Sequence, residues 1–96
     1  MQYLESIVSI LSNLKPELLD KYPIKSIALF GSATRPDFSD ESDIDILVDF
    51  YSPIGIEFID LADFLEAKLN RKVDLVSRAG IKPRWFNSIQ KDIIYV

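Results

Sequence analysis

The sequence contains no cysteine and no histidine. Without cysteine there are no disulfide bonds and no thiolate nucleophile, and without either residue there is no zinc site of the usual sulfur or imidazole kind. A serine–histidine catalytic pair is excluded for the same reason. Any catalytic chemistry must therefore use carboxylates, lysine or arginine, hydroxyl groups and hard metal ions such as Mg²⁺, which prefer oxygen ligands.

Long apolar runs are absent as well. No run approaches the length of about 20 residues that a membrane-spanning helix needs, and the N-terminus lacks the basic-then-apolar pattern of a signal peptide. We therefore expect a cytoplasmic protein that does not enter membranes. The 96 residues suit one domain, residues 1–96, and a hydrophobic content of 48 % is enough for one core.

The net charge of −4 is unevenly divided along the chain. Residues 71–96 carry six basic and two acidic residues, whereas residues 1–70 carry five basic and thirteen acidic residues. An acidic surface repels nucleic acid, so no direct nucleic-acid binding is expected. The basic tail either faces phosphates or an acidic partner, or consists of ordinary solvated charges. Within it, the spacing of Trp85 and Phe86 after Arg84 favours core or a partner interface over a base-stacking platform.

The spacing of apolar residues predicts the order helix, strand, strand, helix, strand, helix, strand. Leucine and isoleucine recur at helical spacing over residues 4–14, and Pro16 either ends this helix or opens a second short turn. The remaining predicted elements are strands at 24–30 and 43–50, a helix at 58–69, a strand at 71–76, a short helix at 83–90 and a strand at 93–96. This order predicts an α+β fold, a small mixed sheet with helices packed against it.

Two carboxylates stand at the head of the second predicted strand. Asp43 and Asp45 should point to one face, because residues two apart in a strand do so, with Cα atoms about 6–7 Å apart. At an effective dielectric constant of about 20 they repel by about 2–3 kcal/mol. A divalent cation between them would remove this repulsion. The alternative is structural: Asp43 caps the strand entrance and Asp45 pairs with a lysine.

Asp74 is a third carboxylate within an apolar strand. If that strand lies beside the second one, Asp74 faces the same pocket as Asp43 and Asp45. Three converging acids match a two-metal site for phosphoryl transfer, in which Asp43 and Asp45 bridge the ions and Asp74 accepts the proton of the attacking hydroxyl. An ion pair of Asp74 with Arg71 or Arg78 is the structural alternative.

Gly31 and Ser32 directly follow the first predicted strand. Glycine allows a phosphate to approach the backbone closely, and Ser32 offers a hydroxyl and an N–H group where a helix can begin. The same pair also fits a plain turn. Arg35, one helical turn further on, has the geometry to clamp a phosphate or to pair with Asp37 or Asp40.

Taken together, these motifs resemble one known superfamily. Gly31-Ser32, a ten-residue spacer, Asp43-x-Asp45 and Asp74 on a later strand resemble the nucleotidyltransferases related to DNA polymerase β. The short chain looks like the minimal nucleotidyltransferase (MNT) group, whose members are usually paired, as antitoxins, with HEPN-domain toxins. The match spans nearly the whole chain, although Pro36 stands where many relatives have glycine. The resemblance implies the polymerase β-like fold.

The resemblance also implies a reaction: Mg²⁺-dependent transfer of AMP from ATP to a hydroxyl, a tyrosine, of a HEPN ribonuclease toxin in a hetero-oligomer. The implied nucleotide-binding residues are Gly31, Ser32 and Arg35; the implied catalytic ligands of two Mg²⁺ ions are Asp43, Asp45 and Asp74. The competing functions are an antitoxin that acts by binding alone and a transferase for small molecules such as antibiotics. The three intact acids favour catalysis, and the lack of a second domain counts against a small-molecule acceptor.

Overall fold

The computed structural model of this protein describes residues 2–34 and 42–96. Their order of elements is the predicted one, and the predicted α+β fold with a small mixed sheet is confirmed. The helices and strands are α1 (Gln2–Lys21), β1 (Ile24–Phe30), β2 (Ile44–Phe50), α2 (Glu57–Leu69), β3 (Val73–Ser77), α3 (Pro83–Ile89) and β4 (Ile94–Tyr95), with 3₁₀ turns at Gly31–Thr34, Arg78–Gly80 and Gln90–Asp92.

The sheet has the strand order β3-β2-β1-β4. β1 runs antiparallel to both β2 and β4, whereas β2 and β3 are parallel. Adjacent parallel strands need a long crossover connection, which here contains α2. Because β2 and β3 are parallel, they begin at the same end of the sheet, and residues early in one strand are neighbours of residues early in the other.

α1 and α2 contribute to the main core, together with one face of the sheet. Alternate residues of β2 point into this layer and are fully buried, as are leucines of both helices: Ile44, Ile46, Val48, Leu11, Leu18, Leu61 and Leu65. Burial of one such side chain stabilises the fold by about 1.5–3 kcal/mol. The core therefore fixes which face of β2 is left for polar residues.

Pro16 lies inside α1, which continues through it to Lys21. A proline in a helix interior costs about 3 kcal/mol, because it removes a backbone hydrogen bond and its ring crowds the preceding turn. Leu11 and Leu18, on either side of Pro16, are both completely buried. Their burial offsets this cost, so the tertiary packing and not the local propensity decides the length of the helix.

The opposite face of the sheet carries a second, smaller apolar cluster. Ala28, Phe30 and Leu47 from the sheet are buried there with Ile81, and Phe86 and Ile89 of α3 pack against them. Asp45 shares this face, because it precedes Leu47 by two residues. The short α3 thus packs against the same sheet face that carries the carboxylate.

A partly buried hydrogen bond ties the end of α1 to α2. The hydroxyl of Tyr22 donates to a carboxylate oxygen of Asp60 at 2.6 Å. Burial of the phenol and this hydrogen bond to Asp60 raise the pKa of Tyr22 to about 12, so the group stays protonated at neutral pH. The contact holds the two helices in one position behind the sheet.

Several predicted boundaries are wrong by one or two residues. β2 begins at Ile44 and not at Asp43, and β3 begins at Val73 and not at Arg71, because the ladder between the two strands starts at the pair Ile44–Val73. The predicted helical turn at 33–36 is a 3₁₀ turn over Gly31–Thr34, and most of the predicted loop at 36–42 lies outside the described residues. None of the described helices is long and apolar enough to cross a membrane.

Candidate active site

The turn after β1 brings the backbone of Gly31 against a carboxylate. Gly31 has a φ of +61°, and a Cβ atom built there would lie 2.5 Å from Oδ2 of Asp45. Only glycine adopts this conformation without strain and leaves room for the carboxylate. The hydroxyl of Thr34 donates to the carbonyl of Gly31 at 2.8 Å and closes the turn, in which Ser32 also lies. The predicted Gly-Ser segment therefore lies beside one of the predicted acids.

Asp45 and Asp74 lie directly opposite each other on the parallel strands β2 and β3. Their side chains therefore point to the same face of the sheet, where two charged carboxylates repel each other. Asp45 is half-buried and Asp74 is exposed at the strand edge. Partial burial, followed by the charge and hydrogen bond of Asp45 and by the charge of Asp43, raises the pKa of Asp74. Lys72 opposes this shift.

Asp43 lies one residue before β2, where its exposed side chain acts on Asp74 through its charge. The backbone at this point is fixed from the neighbouring strand. A guanidinium N–H of Arg71 donates to the carbonyl of Ser42, and the N–H of Ile44 donates to the carbonyl of Lys72 at 3.0 Å. The turn before β3, which contains Arg71 and Lys72, therefore fixes the backbone that carries Asp43.

The start of β3 is in turn held by α2. Asn70 ends α2 in the left-handed conformation, with a φ of 53°, and its N–H donates to the carbonyl of Glu66. The carboxylate of Glu66 accepts the N–H of Val73 at 3.0 Å. Since Asp74 follows Val73, the end of the helix positions the third acid opposite Asp45.

The donor set is made entirely of carboxylate oxygens, which are the ligands that Mg²⁺ prefers. Within residues 2–34 and 42–96, no three acidic side chains stand in an arrangement that already forms a metal site. A divalent cation between Asp45 and Asp74 would relieve the repulsion between the two carboxylates, so the residues present fit a divalent ion.

A comparison with known protein families identifies the family to which this chain belongs. The model of the nucleotidyltransferase domain family matches residues 11–96, which include both strands and all three acids. This chain belongs to the nucleotidyltransferase domain family. The match confirms two predictions from the sequence: that the protein is a nucleotidyltransferase, and that it belongs to this superfamily.

The nucleotidyltransferase is similar over its whole length to a named enzyme. The protein adenylyltransferase MntA of Thermococcus cleftensis is 39 % identical to it over 97 residues, which is 100 % of this chain and 98 % of that one. The full-length match includes the opening helix, which the family model covers only in part.

Solved structures show the same fold. A toxin–antitoxin structure with AMP-PNP is 28 % identical to the nucleotidyltransferase, with a TM-score of 0.59 over 82 % of this chain and 60 % of that one. A complex of a tri-AMPylated Shewanella oneidensis HEPN toxin with an MNT antitoxin has a TM-score of 0.61 at 24 % identity, over 99 % of this chain and 71 % of that one.

The structural alternative for Asp74 was an ion pair with Arg71 or Arg78. Among the described residues, Arg78 instead places its guanidinium carbon 3.7 Å from the centre of the Phe86 ring, and Arg71 donates to Ser42. The groups that shift the pKa of Asp74 are carboxylates and Lys72. Arg35, the predicted phosphate clamp, lies outside the described residues.

Two positioning residues of the nucleotidyltransferase were missed by sequence reasoning. The sequence pattern suggests Arg71 as an ion-pair partner of Asp74, and it indicates no role in the site for Glu66. Both hold backbone that precedes an acid. Their position in the sequence could have indicated this role, because Glu66 and Arg71 flank the turn between α2 and the strand that carries Asp74.

A cleft of about 480 Å³ lies at the far end of the sheet. It is lined by Phe50, Phe58, Ser77 and the loop residues 51–54. Phe50 ends β2 and Ser77 ends β3, whereas the acids lie at the start of both strands. At about 3.3 Å per residue, Asp45 and Phe50 are about 16 Å apart, so the cleft is not part of the carboxylate site.

Asp74→Asn is expected to stabilise the metal-free protein at pH 7.5. The pKa of Asp74 is raised on folding, so the fold favours the protonated form. Its contribution to stability is fully present below the unfolded pKa of about 4 and is lost as the pH rises through the higher folded pKa. Urea unfolding in EDTA should give a higher free energy of unfolding for the variant at pH 7.5 and a smaller difference at pH 4. A variant that is less stable than wild type at pH 7.5 would contradict this expectation. Asp63→Asn makes the same change in net charge and serves as the control.

Proposed function

We propose that the chain is a Mg²⁺-dependent protein adenylyltransferase that acts as an antitoxin, transferring AMP from ATP to a tyrosine hydroxyl of a HEPN ribonuclease toxin. The observation that carries this is that Asp45, which packs against Gly31, lies directly opposite Asp74. The likeness to protein adenylyltransferase MntA, and to a toxin–antitoxin structure that holds AMP-PNP, supports the reaction and the class of partner.

Asp43, Asp45 and Asp74 would hold the two Mg²⁺ ions, since the carboxylates of Asp45 and Asp43 lie close enough to raise the pKa of Asp74. When bound, the ions neutralise charge on the phosphates and on the leaving pyrophosphate. Asp43 is exposed and lies one residue before β2 and two residues before Asp45, so an ion held by Asp45 would be within its reach.

Gly31 and Ser32 bind the triphosphate. The Cβ position of Gly31 is taken by the carboxylate of Asp45, so the triphosphate is bound through the N–H groups of the 3₁₀ turn. Arg35, which lies outside the described residues, would add a positive charge to the triphosphate site. A triphosphate bound at this turn would be close to Asp45, because the Asp45 carboxylate lies against Gly31.

The acceptor hydroxyl approaches from the side of Asp74. Its oxygen forms the new ester bond to the α-phosphorus, and the bond to the bridging oxygen breaks, so that pyrophosphate leaves with the electron pair. Asp74 takes the proton of the attacking hydroxyl. Its exposure at the strand edge suits this role, since a tyrosine of a partner protein can reach it from solvent.

The product explains the antitoxin activity. Each AMP adds a negative charge close to the RNA-cleaving site of the toxin, which repels the RNA phosphates. Because the toxin is both partner and substrate, complex formation and catalysis share one surface. The reaction takes place in the cytoplasm, where ATP, Mg²⁺ and RNA are all present.

Co-expression with the HEPN toxin tests this function. The wild-type chain should suppress toxicity, and the toxin purified from these cells should carry AMP by mass spectrometry. The double variant Asp43→Ala/Asp45→Ala should give an unmodified toxin that remains toxic. If the double variant still suppresses toxicity while the toxin stays unmodified, the chain neutralises by binding alone and the enzymatic proposal is wrong.

A further inference from the structure

Trp85 lies on the sheet face that carries the acids. α3 packs on this face through Phe86 and Ile89, which contact the cluster of Ala28, Phe30 and Leu47. Phe86 is half-buried and is covered by the guanidinium of Arg78. Because Phe86 and Ile89 fix the rotation of the helix, the neighbouring Trp85 is left at its flank, where 47 % of its surface is exposed.

The indole contacts the residue that links β1 to the phosphate turn. The ring centres of Trp85 and Phe30 are 6.2 Å apart at an interplanar angle of 83°, an edge-to-face contact. Phe30 directly precedes Gly31 and lies opposite Asp45 in the register of β1 and β2. One buried side chain therefore separates the exposed indole from both the phosphate turn and the carboxylate.

Among the side chains that the structure describes, the other strongly exposed aromatic rings lie elsewhere. Tyr51 is 71 % exposed but follows the far end of β2, and Tyr95 is 61 % exposed on the edge strand β4. Of the described aromatic side chains that contact Phe30, Trp85 is the one that offers open ring surface. The nucleobase of a triphosphate held at Gly31 needs such a surface, or else it remains in water.

We propose that Trp85 is the platform for the nucleobase of the ATP substrate, an inference that rests on the proposed function. The indole stacks on the base, and a purine gains more than a pyrimidine because its two rings cover more of the indole. Stacking on an aromatic side chain changes binding by about 5- to 150-fold per base. α3 thus supplies a wall for the base within the short chain.

Trp85 is the only tryptophan, so its fluorescence reports on this contact directly. The full chain is titrated in Mg²⁺ buffer with ATP and with inorganic triphosphate, which lacks the base, and both titrations are repeated by calorimetry. We expect ATP to quench the fluorescence and inorganic triphosphate to bind without comparable quenching. Trp85→Ala should weaken ATP binding about 5- to 150-fold and leave triphosphate binding unchanged, whereas Trp85→Phe should restore most of the ATP affinity.

Tyr51→Ala is the matched control, because it removes an exposed aromatic ring at the far end of β2. Unchanged ATP affinity in Trp85→Ala overturns the proposal, as does an equal loss for ATP and triphosphate. If Trp85→Ala binds ATP normally but loses the complex with the toxin, the indole is a docking residue and the proposal is wrong. A wild-type chain that shows the base-dependent quench yet transfers no AMP contradicts the proposed function and leaves the stacking role in place.

Discussion

Replacing Asp45 by asparagine is expected to lower the rate of AMP transfer about 10³-fold or more. The amide has the size of the carboxylate but no charge, so it is a poor ligand for Mg²⁺. Asp45 lies opposite Asp74 and against Gly31, so it is the acid that joins the metal ligands to the phosphate turn. The measurement is the rate at which label from α-labelled ATP appears on the purified toxin.

Asp49→Asn is the matched control for this loss. Asp49 lies on the same strand and the same face, four residues after Asp45, and is also half-buried. Its replacement removes the same charge but should leave transfer close to the wild-type rate. Asp45→Asn should also be at least as stable as wild type in EDTA, because it removes repulsion with Asp74. Near-normal transfer by a folded Asp45→Asn would show that the carboxylate is not a metal ligand in the reaction.

The second large effect is expected for Gly31→Ala. The φ of +61° costs a residue with a Cβ about 1–2 kcal/mol. The new methyl group would also meet Oδ2 of Asp45 at 2.5 Å, and since that oxygen ends a short side chain, the carboxylate must move. A displacement of about 1 Å in a catalytic group can lower the rate about 10²-fold. We expect this loss in the transfer assay, together with a reduced free energy of unfolding in urea.

Gly80→Ala makes the same chemical change without these consequences. No atom lies within 4 Å of a Cβ built at Gly80, and its φ is outside the left-handed region. This variant should keep the wild-type rate of transfer and lose little or no stability. If Gly31→Ala and Gly80→Ala behave alike in the transfer assay, the close approach of Asp45 to Gly31 has no role in the reaction.

The alternation of β2 and β3 was sufficient to predict that Asp45 and Asp74 point away from the core, whereas their common face also required the two strands to be neighbours. Asp45 stands among apolar residues of a buried strand, and Asp74 has the same kind of neighbours, so both must point away from the core. Their direct pairing was not predictable, because the register of a parallel pair depends on where α2 ends. That end is determined by Asn70 and by the contact of Glu66 with Val73, which involve tertiary geometry.

Other features of the fold could not be predicted from the sequence, and each has a physical reason. The continuation of α1 through Pro16 depends on the burial of leucines on both sides of it, which propensity alone does not weigh. The different positions of Trp85 and Phe86 depend on the rotation of α3, and seven residues are too few to display a helical period. The contact of Asp45 with Gly31 follows from the antiparallel register of β1 and β2, and no local pattern reports that register.

The most direct test of the carboxylate site is a paired measurement on Asp74→Asn. The affinity for ATP is measured by calorimetry, and AMP transfer to the toxin is measured in the same buffer. Because Asp74 lies at the exposed strand edge and accepts the proton of the acceptor, we expect ATP affinity close to that of wild type and transfer about 10³-fold slower. Transfer near the wild-type rate in this variant would contradict the assignment of Asp74 and, with it, the convergence of the three acids on the reaction.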